Sequence, residues 1–278
     1  MFRIAPAKLN RYLAVLGKLE DGFHEVELVT TVLEGCGALS DGLEVTLGER
    51  RDLYVFRGPW ADEVEPDDSN LILKAWRLIE KKLNRKIPIN INLEKNIPVG
   101  AGLGGGSSDA AALIKMMPDL LGIPLEEAEQ IALAAQVGSD VPLFILGGTS
   151  FGQHKGEKVT RLLPALIEHE LIIHSGVMVA TQKVYERIPS GPFNTTKLAD
   201  PNQLGGIRRN DLTPFAFAVA PILQVVSKDI IQTKGDPLLC GSGGCMSAKY
   251  ATRVDLEAAK AWFKTQRPYY QIYDLQGD

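Results

Sequence analysis

The chain has 278 residues, 45% of them hydrophobic and 23% charged, with a formal net charge of −4 from 30 basic and 34 acidic side chains. That length allows about two domains with self-sufficient cores, and the near-balanced charge excludes the basic footprint of a nucleic-acid binder. Cys36, Cys240 and Cys245 form no Cys-x-x-Cys pair and have no neighbouring histidine, which argues against a disulfide framework or structural zinc.

Residues 2–34 read as β-structure in three runs, Phe2–Ala5, Tyr12–Leu16 and Glu25–Leu33. The last alternates and is rich in β-branched side chains. Lys8 and Asn10 fall at the junction of the first two runs, where Lys8 alone reads as a solvated strand-end lysine. Gly22-Phe23-His24 forms the turn before the third. It is either a hairpin with a half-buried Phe or an aromatic–imidazole pair able to stack on a base and hydrogen-bond its edge. Leu43–Leu47 and Leu53–Arg57 look like a further hairpin, followed by an acidic loop from Asp62 to Asp68. Asp67-Asp-Ser-Asn70 places capping residues before an amphipathic helix, Leu71–Leu83. Ile87–Leu93 alternates as a strand. Lys95 follows, either near a nucleotide or solvated in a loop.

Next comes Pro98-Val-Gly-Ala-Gly-Leu-Gly-Gly-Gly-Ser-Ser-Asp-Ala-Ala-Ala112, with five glycines at Gly100, Gly102, Gly104, Gly105 and Gly106. The glycines are too permissive for a regular element, whereas the Ser-Ser-Asp-Ala run is a strong helix start. The pattern is a glycine turn feeding a helix N-terminus. Backbone N–H groups can approach an anion there, and the helix end adds about half a positive charge. Phosphate is the natural guest. A P-loop is excluded, because no Lys follows the glycines. Gly100, Gly102 and Gly105 meet the dinucleotide spacing, but Asp119, the acidic residue at the right distance, falls in the expected following loop and not at a strand end.

The first helix after the turn runs from Ser107 to Met117, with Pro118 as its breaker. A second, Leu125–Val137, has Glu126, Glu127 and Glu129 in its first turns and Gly138 at its end. Ser139-Asp-Val-Pro142 starts a short third helix, with Asp140 at the cap position. Gly147–Gln153 and Lys158–Leu163 are strands returning to the first sheet. A domain boundary is expected near 163–168, giving domains 1–165 and 166–278. Beyond it lie a strand at Leu171–His174, a short helix at Thr181–Ile188, and a Pro/Gly/Asn-rich stretch from Pro189 to Asn202. A helical pattern over 215–233 precedes a strand–helix–strand set made of Pro237–Cys240, Met246–Tyr250, Asp255–Gln266 and Tyr269–Leu275. Between the first two of these strands lies Cys240-Gly-Ser-Gly-Gly-Cys245, either a β-turn or a second ligand turn. Its cysteines read as small packed residues. The N-terminal Met1-Phe-Arg-Ile shows no leader pattern and no run of ~18 apolar residues occurs, so a soluble cytoplasmic protein without a membrane partner is expected.

The stretch Pro98–Ser108 resembles the signature loop of the galactokinase, homoserine kinase, mevalonate kinase and phosphomevalonate kinase (GHMP) superfamily. Pro6-Ala-Lys-Leu-Asn10 and Gly138-Ser-Asp-Val-Pro-Leu-Phe144 narrow the resemblance to the diphosphocytidyl methylerythritol kinases of the non-mevalonate isoprenoid pathway. Ser242-Gly243-Gly244 resembles the superfamily's third motif, and Asn210-Asp-Leu matches a further stretch. The resemblance covers most of the chain in order. It implies an α+β fold with two domains: an N-terminal nucleotide-binding domain of mixed sheet plus helices, of the ribosomal-protein-domain type, and a C-terminal ferredoxin-like α/β domain.

The same resemblance implies ATP-dependent phosphorylation of the 2-hydroxyl of a diphosphocytidyl methylerythritol. ATP would be bound by Asn70, Leu71, Lys95, Pro98, Val99, Gly100, Ala101, Gly102, Leu103, Gly104, Gly105, Gly106, Ser107 and Ser108. For Asn70, the plain helix-start reading is equally good. Mg²⁺ would bridge phosphate oxygens, and no side chain is assigned to hold it. Asp140 and Lys8 would be catalytic, the first taking the hydroxyl proton and the second standing between that hydroxyl and the γ-phosphate. Read alone, Asp140 is only an N-cap. The acceptor would be held by Asn10, Phe23, His24, Asp140, Thr181 and Tyr185, with Phe23 and Tyr185 stacking on the cytosine. Other small-molecule kinases of homoserine or mevalonate type, and a non-catalytic nucleotide-binding regulator, are the alternatives. The chain would act on small molecules as a monomer or homodimer.

Overall fold

A computed structural model describes residues 1–48, 53–191, 193, 196–204 and 206–276. In chain order the N-terminal elements are β1 (Phe2–Pro6), β2 (Lys8–Lys18), β3 (His24–Val32), β4 (Ser40–Leu47), β5 (Leu53–Arg57), α1 (Leu71–Leu83), β6 (Ile89–Glu94), α2 (Gly105–Leu121), α3 (Glu127–Val137), α4 (Val141–Leu146), β7 (Thr149–His154) and β8 (Lys158–Arg161). There follow β9 (Glu170–His174), α5 (Thr181–Tyr185), β10 (Arg209–Asn210), α6 (Thr213–Val219), α7 (Ile222–Gln232), β11 (Asp236–Leu239), β12 (Cys245–Lys249), α8 (Arg253–Gln266) and β13 (Gln271–Asp274).

The strands order as β1-β4-β6-β5, β10-β2-β3-β7-β8 and β11-β12-β9-β13. The first sheet packs beneath α1 to α4. Trp76 and Ile79 of α1 and Leu113 and Met117 of α2 are buried with Val45, Ile91 and Leu93. In β9 the side chains alternate between two cores. Leu171 and Ile173 meet Val226 and Ile230 of α7 and Phe263 of α8, while Ile172 faces Ala7, Leu9, Leu103, Cys240 and Cys245. That second face joins the C-terminal sheet to the start of β2. The joint is closed further by β10, which pairs parallel with β2 at Arg209↔Tyr12 and Asn210↔Leu13.

Several expectations need correction. Leu43–Leu47 and Leu53–Arg57 are not a hairpin: β4 pairs with β6, and β5 lies parallel on the other side of β6. Pro118 does not end α2, which continues to Leu121 and stops at Gly122 in the left-handed conformation. A missing N–H forfeits a single hydrogen bond, which a long, buried helix absorbs. Asp119 therefore lies in the helix, not in a loop. The helical run 215–233 is two helices, since Ala220 and Pro221 separate α6 from α7. Asn70 caps α1 as expected, its Oδ1 accepting from the Ile72 N–H (3.0 Å) and the Leu73 N–H (3.4 Å).

Candidate active site

The two glycine turns meet backbone to backbone. Gly244 N–H donates to the Gly100 carbonyl (2.9 Å), and Cys245 N–H to that of Ala101 (3.2 Å). A Cβ at Gly102 would run into the Cys240 carbonyl oxygen, and φ there is +78°. Both the close approach and the backbone conformation demand glycine. Asn210 ties the second turn down by donating to the carbonyls of Leu239 (2.9 Å) and Gly241 (2.6 Å). This gives the Asn-Asp-Leu stretch a structural role. Cys240 and Cys245 are free and fully buried at the base of the turn, and burial pushes the Cys240 thiol up to about 12.

α2 starts directly behind the first turn. Its N-cap is Gly104, which has no side chain to satisfy the helix N–H groups. Gly105, Gly106 and Ser107 line a cleft of about 1070 Å³. A Cβ at Gly106 would find no atom nearer than Leu71 Cδ1 at 4.0 Å, so this backbone is open on the cleft side. Free N–H groups, the positive helix end and open space together suit phosphate oxygens. Asn70, Leu71, Lys95 and residues 98–107 all border this cleft, whereas Ser108 is buried in the body of α2.

Lys95 is not a solvated loop residue. It is buried, with its ammonium paired to Asp41 and to Asp109 (2.7 Å) directly behind Gly105, where a Cβ would lie 2.8 Å from Nζ. Asp41 also accepts from the backbone N–H groups of Asn96 (2.6 Å) and Ile97 (2.8 Å), anchoring the entry to the turn. Burial raises the Asp109 carboxyl to about 8, against the opposing pull of Lys95.

Lys8, the first residue of β2, is buried between the turns. Its backbone N–H donates to the Leu103 carbonyl (2.9 Å), its Nζ donates to Asn10 Oδ1 (2.5 Å), and Asn10 Nδ2 donates to Thr30 Oγ1 (2.8 Å). The Lys8 Nζ lies 3.8 Å from Asp140 Oδ2. Asp140 is the N-cap residue of α4, yet its carboxylate makes no capping hydrogen bond. The charge is presented to the cleft, partly exposed, and is not spent on the helix.

Asn10, Phe23, His24, Thr181 and Tyr185 border the same cleft. Thr181 shares a hydrogen bond with Ser242 of the second glycine turn (2.7 Å). The His24 ring packs on Tyr185, with centroids 5.3 Å apart, and on Phe193 at 6.2 Å. Phe23 does not face Tyr185 in this way; its ring carries the Lys155 ammonium at 4.5 Å. Burial, then the Lys18 charge, holds the His24 imidazole below its usual value. Burial, then the charge of Asp140, pushes the Tyr185 phenol up. Lys18, Asp21 and Lys155 also line the cleft and were not found from the sequence. Lys18 ends β2 and the other two lie in turns, and none belongs to a pattern of its own. Ser242 was visible only as part of the second glycine turn.

The fold and this cleft define a small-molecule kinase of the GHMP superfamily, and residues 70–148 match the family model described as GHMP kinases N terminal domain. The chain is 32% identical to the 4-diphosphocytidyl-2-C-methyl-D-erythritol kinase of Chelativorans sp. over 95% of its own length and 92% of that protein. It is 34% identical to the enzyme of that name from Paramagnetospirillum magneticum, over 98% of this chain and 96% of the other. A crystal structure of 4-(cytidine 5'-diphospho)-2C-methyl-D-erythritol kinase superposes with a TM-score of 0.73 at 28% identity, covering 98% of this chain and 97% of that one. Homoserine kinase from Cytophaga hutchinsonii shares the fold, with a TM-score of 0.66 at 14% identity over 96% of this chain and 93% of that one. The chain belongs to the 4-diphosphocytidyl-2-C-methyl-D-erythritol kinase family.

Proposed function

We propose that this chain transfers the γ-phosphoryl group of ATP to the 2-hydroxyl of 4-diphosphocytidyl-2-C-methyl-D-erythritol. The observation that carries this reading is the Lys8–Asp140 pair, 3.8 Å apart, in the one cleft that holds both the phosphate-suited glycine turn and the Phe23–His24–Tyr185 cluster. The N–H groups of Gly105, Gly106 and Ser107 take the ATP phosphates, and the Ser107 hydroxyl adds a donor. Asp140 receives the proton of the attacking hydroxyl as its oxygen bonds to the γ-phosphorus and the bond to the β-phosphate oxygen breaks. The Lys8 ammonium stabilises negative charge between the alkoxide and the γ-phosphoryl oxygens. Asn10 holds that ammonium in place. Mg²⁺, if bound with ATP, would supply charge neutralisation at the phosphates; among the described residues no group of three acidic, imidazole or thiol side chains is assembled to hold a metal. In this reading residues 1–165 carry nucleotide and chemistry, and 166–278 supply Thr181, Tyr185 and the second glycine turn.

Homoserine- and mevalonate-type activity is the weaker reading, because those structures are alike in fold alone, at 13–14% identity for the mevalonate kinase of Methanococcus jannaschii and the homoserine kinase above. A non-catalytic regulator would have no use for the buried Lys8 facing Asp140. No helix among the described residues is long and apolar enough to cross a membrane. ATP consumption measured over a panel of acceptor alcohols tests the assignment. Turnover of the cytidine diphospho-alcohol and not of homoserine or mevalonate is expected; the reverse preference overturns it.

A further inference from the structure

The Phe23 ring sits in a turn at the mouth of the cleft and is 57% exposed. A side chain so open is free to change rotamer, and every rotamer lost on binding lowers affinity. Two features oppose that freedom. The Phe23 N–H donates to Asp21 Oδ1 (3.2 Å), which sets the backbone of the turn. The Lys155 ammonium lies 4.5 Å from the ring centroid, over the π-face, and is itself ion-paired to the Asp21 carboxylate.

Lys155 comes from a different hairpin, the connection between β7 and β8. The pairing Val26↔His154 brings that hairpin's tip beside the β2–β3 turn. The tip is rigid for reasons unconnected with the lysine side chain. Glu157 accepts from the Lys155 N–H (2.9 Å) and bonds the His154 ring (2.6 Å), and Gly156, at φ +104°, bends the chain. The ammonium is thus delivered to Phe23 from a braced support.

We propose that Lys155 is a positioning residue for the acceptor: clamped by Asp21, its ammonium holds the Phe23 ring oriented to receive the cytosine. This rests on the reading of Phe23 as a platform for the base. One face of the ring is taken by the cation, and the exposed remainder is left for the base. Because the turn is braced by Glu157 and Gly156, Lys155→Met keeps the stem and the fold and removes the charge over the ring together with its ion pair to Asp21.

The test is steady-state kinetics of the full chain with ATP, Mg²⁺ and 4-diphosphocytidyl-2-C-methyl-D-erythritol. A cation–π contact at an exposed site corresponds to roughly a two- to fivefold change in affinity. Lys155→Met should therefore raise KM for the acceptor by about that factor, with kcat, KM for ATP and Tm unchanged. Lys155→Arg, which retains a cation able to stack, should restore KM. In a Phe23→Ala background Lys155→Met should have no further effect, since its target is gone. An undiminished effect in that background would mean that Lys155 touches the substrate itself, and an unchanged KM in the single variant would mean that it does nothing to Phe23; either overturns the proposal. Failure of the underlying reading looks different: wild type would not turn over this acceptor at all, and the proposal would fall with it.

Discussion

The Lys8 ammonium and the Asp140 carboxylate stand 3.8 Å apart, the first opening β2 and the second preceding α4. Since Asp140 makes no capping hydrogen bond, its removal should leave α4 intact. Asp140→Asn should lower kcat by roughly 10²–10⁴ while ATP still binds. Lys8→Met should also be strongly impaired. Because the two act on one hydroxyl, the double variant should be far less damaged than the product of the single losses. Turnover rates for wild type, both singles and the double, with thermal melts alongside, check this. Near-normal activity in Asp140→Asn would remove the carboxylate from the chemistry.

Glycines in the first turn should separate into two kinds. Gly102 is needed by the fold: φ is +78° and a Cβ would strike the second turn. Gly102→Ala should lower stability by more than the ~1–2 kcal/mol of the left-handed conformation alone. Gly106 meets only open cleft, so Gly106→Val should melt close to wild type. If phosphate lies against that backbone, the same variant should lose most of its ATP affinity by calorimetry. A folded Gly106→Val that binds ATP normally would move the phosphates elsewhere.

What could be read in advance was local. The glycine turn, the Asn70 cap and the helix over 71–83 are signalled within a few residues, by chain freedom and by capping. What could not be read depends on partners far off in the chain. β5 lies beside β6 and not β4, because strand pairing is decided by the whole sheet. Pro118 looks like a breaker, but the buried face of α2 outweighs one lost hydrogen bond. Lys95 was ambiguous since its partners Asp41 and Asp109 are brought to it only by folding. Lys155 reaches Phe23 for the same reason, through the β3–β7 pairing.

The acceptor pocket should respond to Tyr185 and His24 separately. Tyr185→Ala removes a stacking surface worth roughly 1–3 kcal/mol, a rise of about ten- to a hundredfold in KM for the acceptor. KM for ATP should barely move. His24 titrates below its usual value, so its imidazole stays neutral into mildly acid solution. Acceptor affinity should hold as pH falls through the ordinary histidine range, and weaken only below it as the ring takes up a proton. Binding profiles of wild type and His24→Gln, compared across that range, check the assignment. An acid limb that survives in His24→Gln belongs to another group.

Beneath the glycine turn, Lys95 faces Asp41 and Asp109, and all three side chains are buried. Two negative charges against one positive are costly there, and burial drives Asp109 up to about 8. Its folded value exceeds the unfolded ~3.9, so the folded chain keeps a proton that the unfolded chain has lost. The stability this contributes is full below about pH 4 and is lost as pH rises through the folded value. Asp109→Asn holds the shape and cannot ionise, so urea midpoints that decline between about pH 7 and 9 in wild type should decline less in the variant. Lys95→Met approaches the same balance from the other side. It leaves the buried Asp41 carboxylate beside Asp109 without a cation and should cost about 3–5 kcal/mol. The loss should be smaller in acid, where the folded state sheds the unpaired buried charge by taking up a proton. A loss of the same size at all pH values would assign it to packing of the lysine stem, and an unchanged variant would show that the triad does not hold the turn.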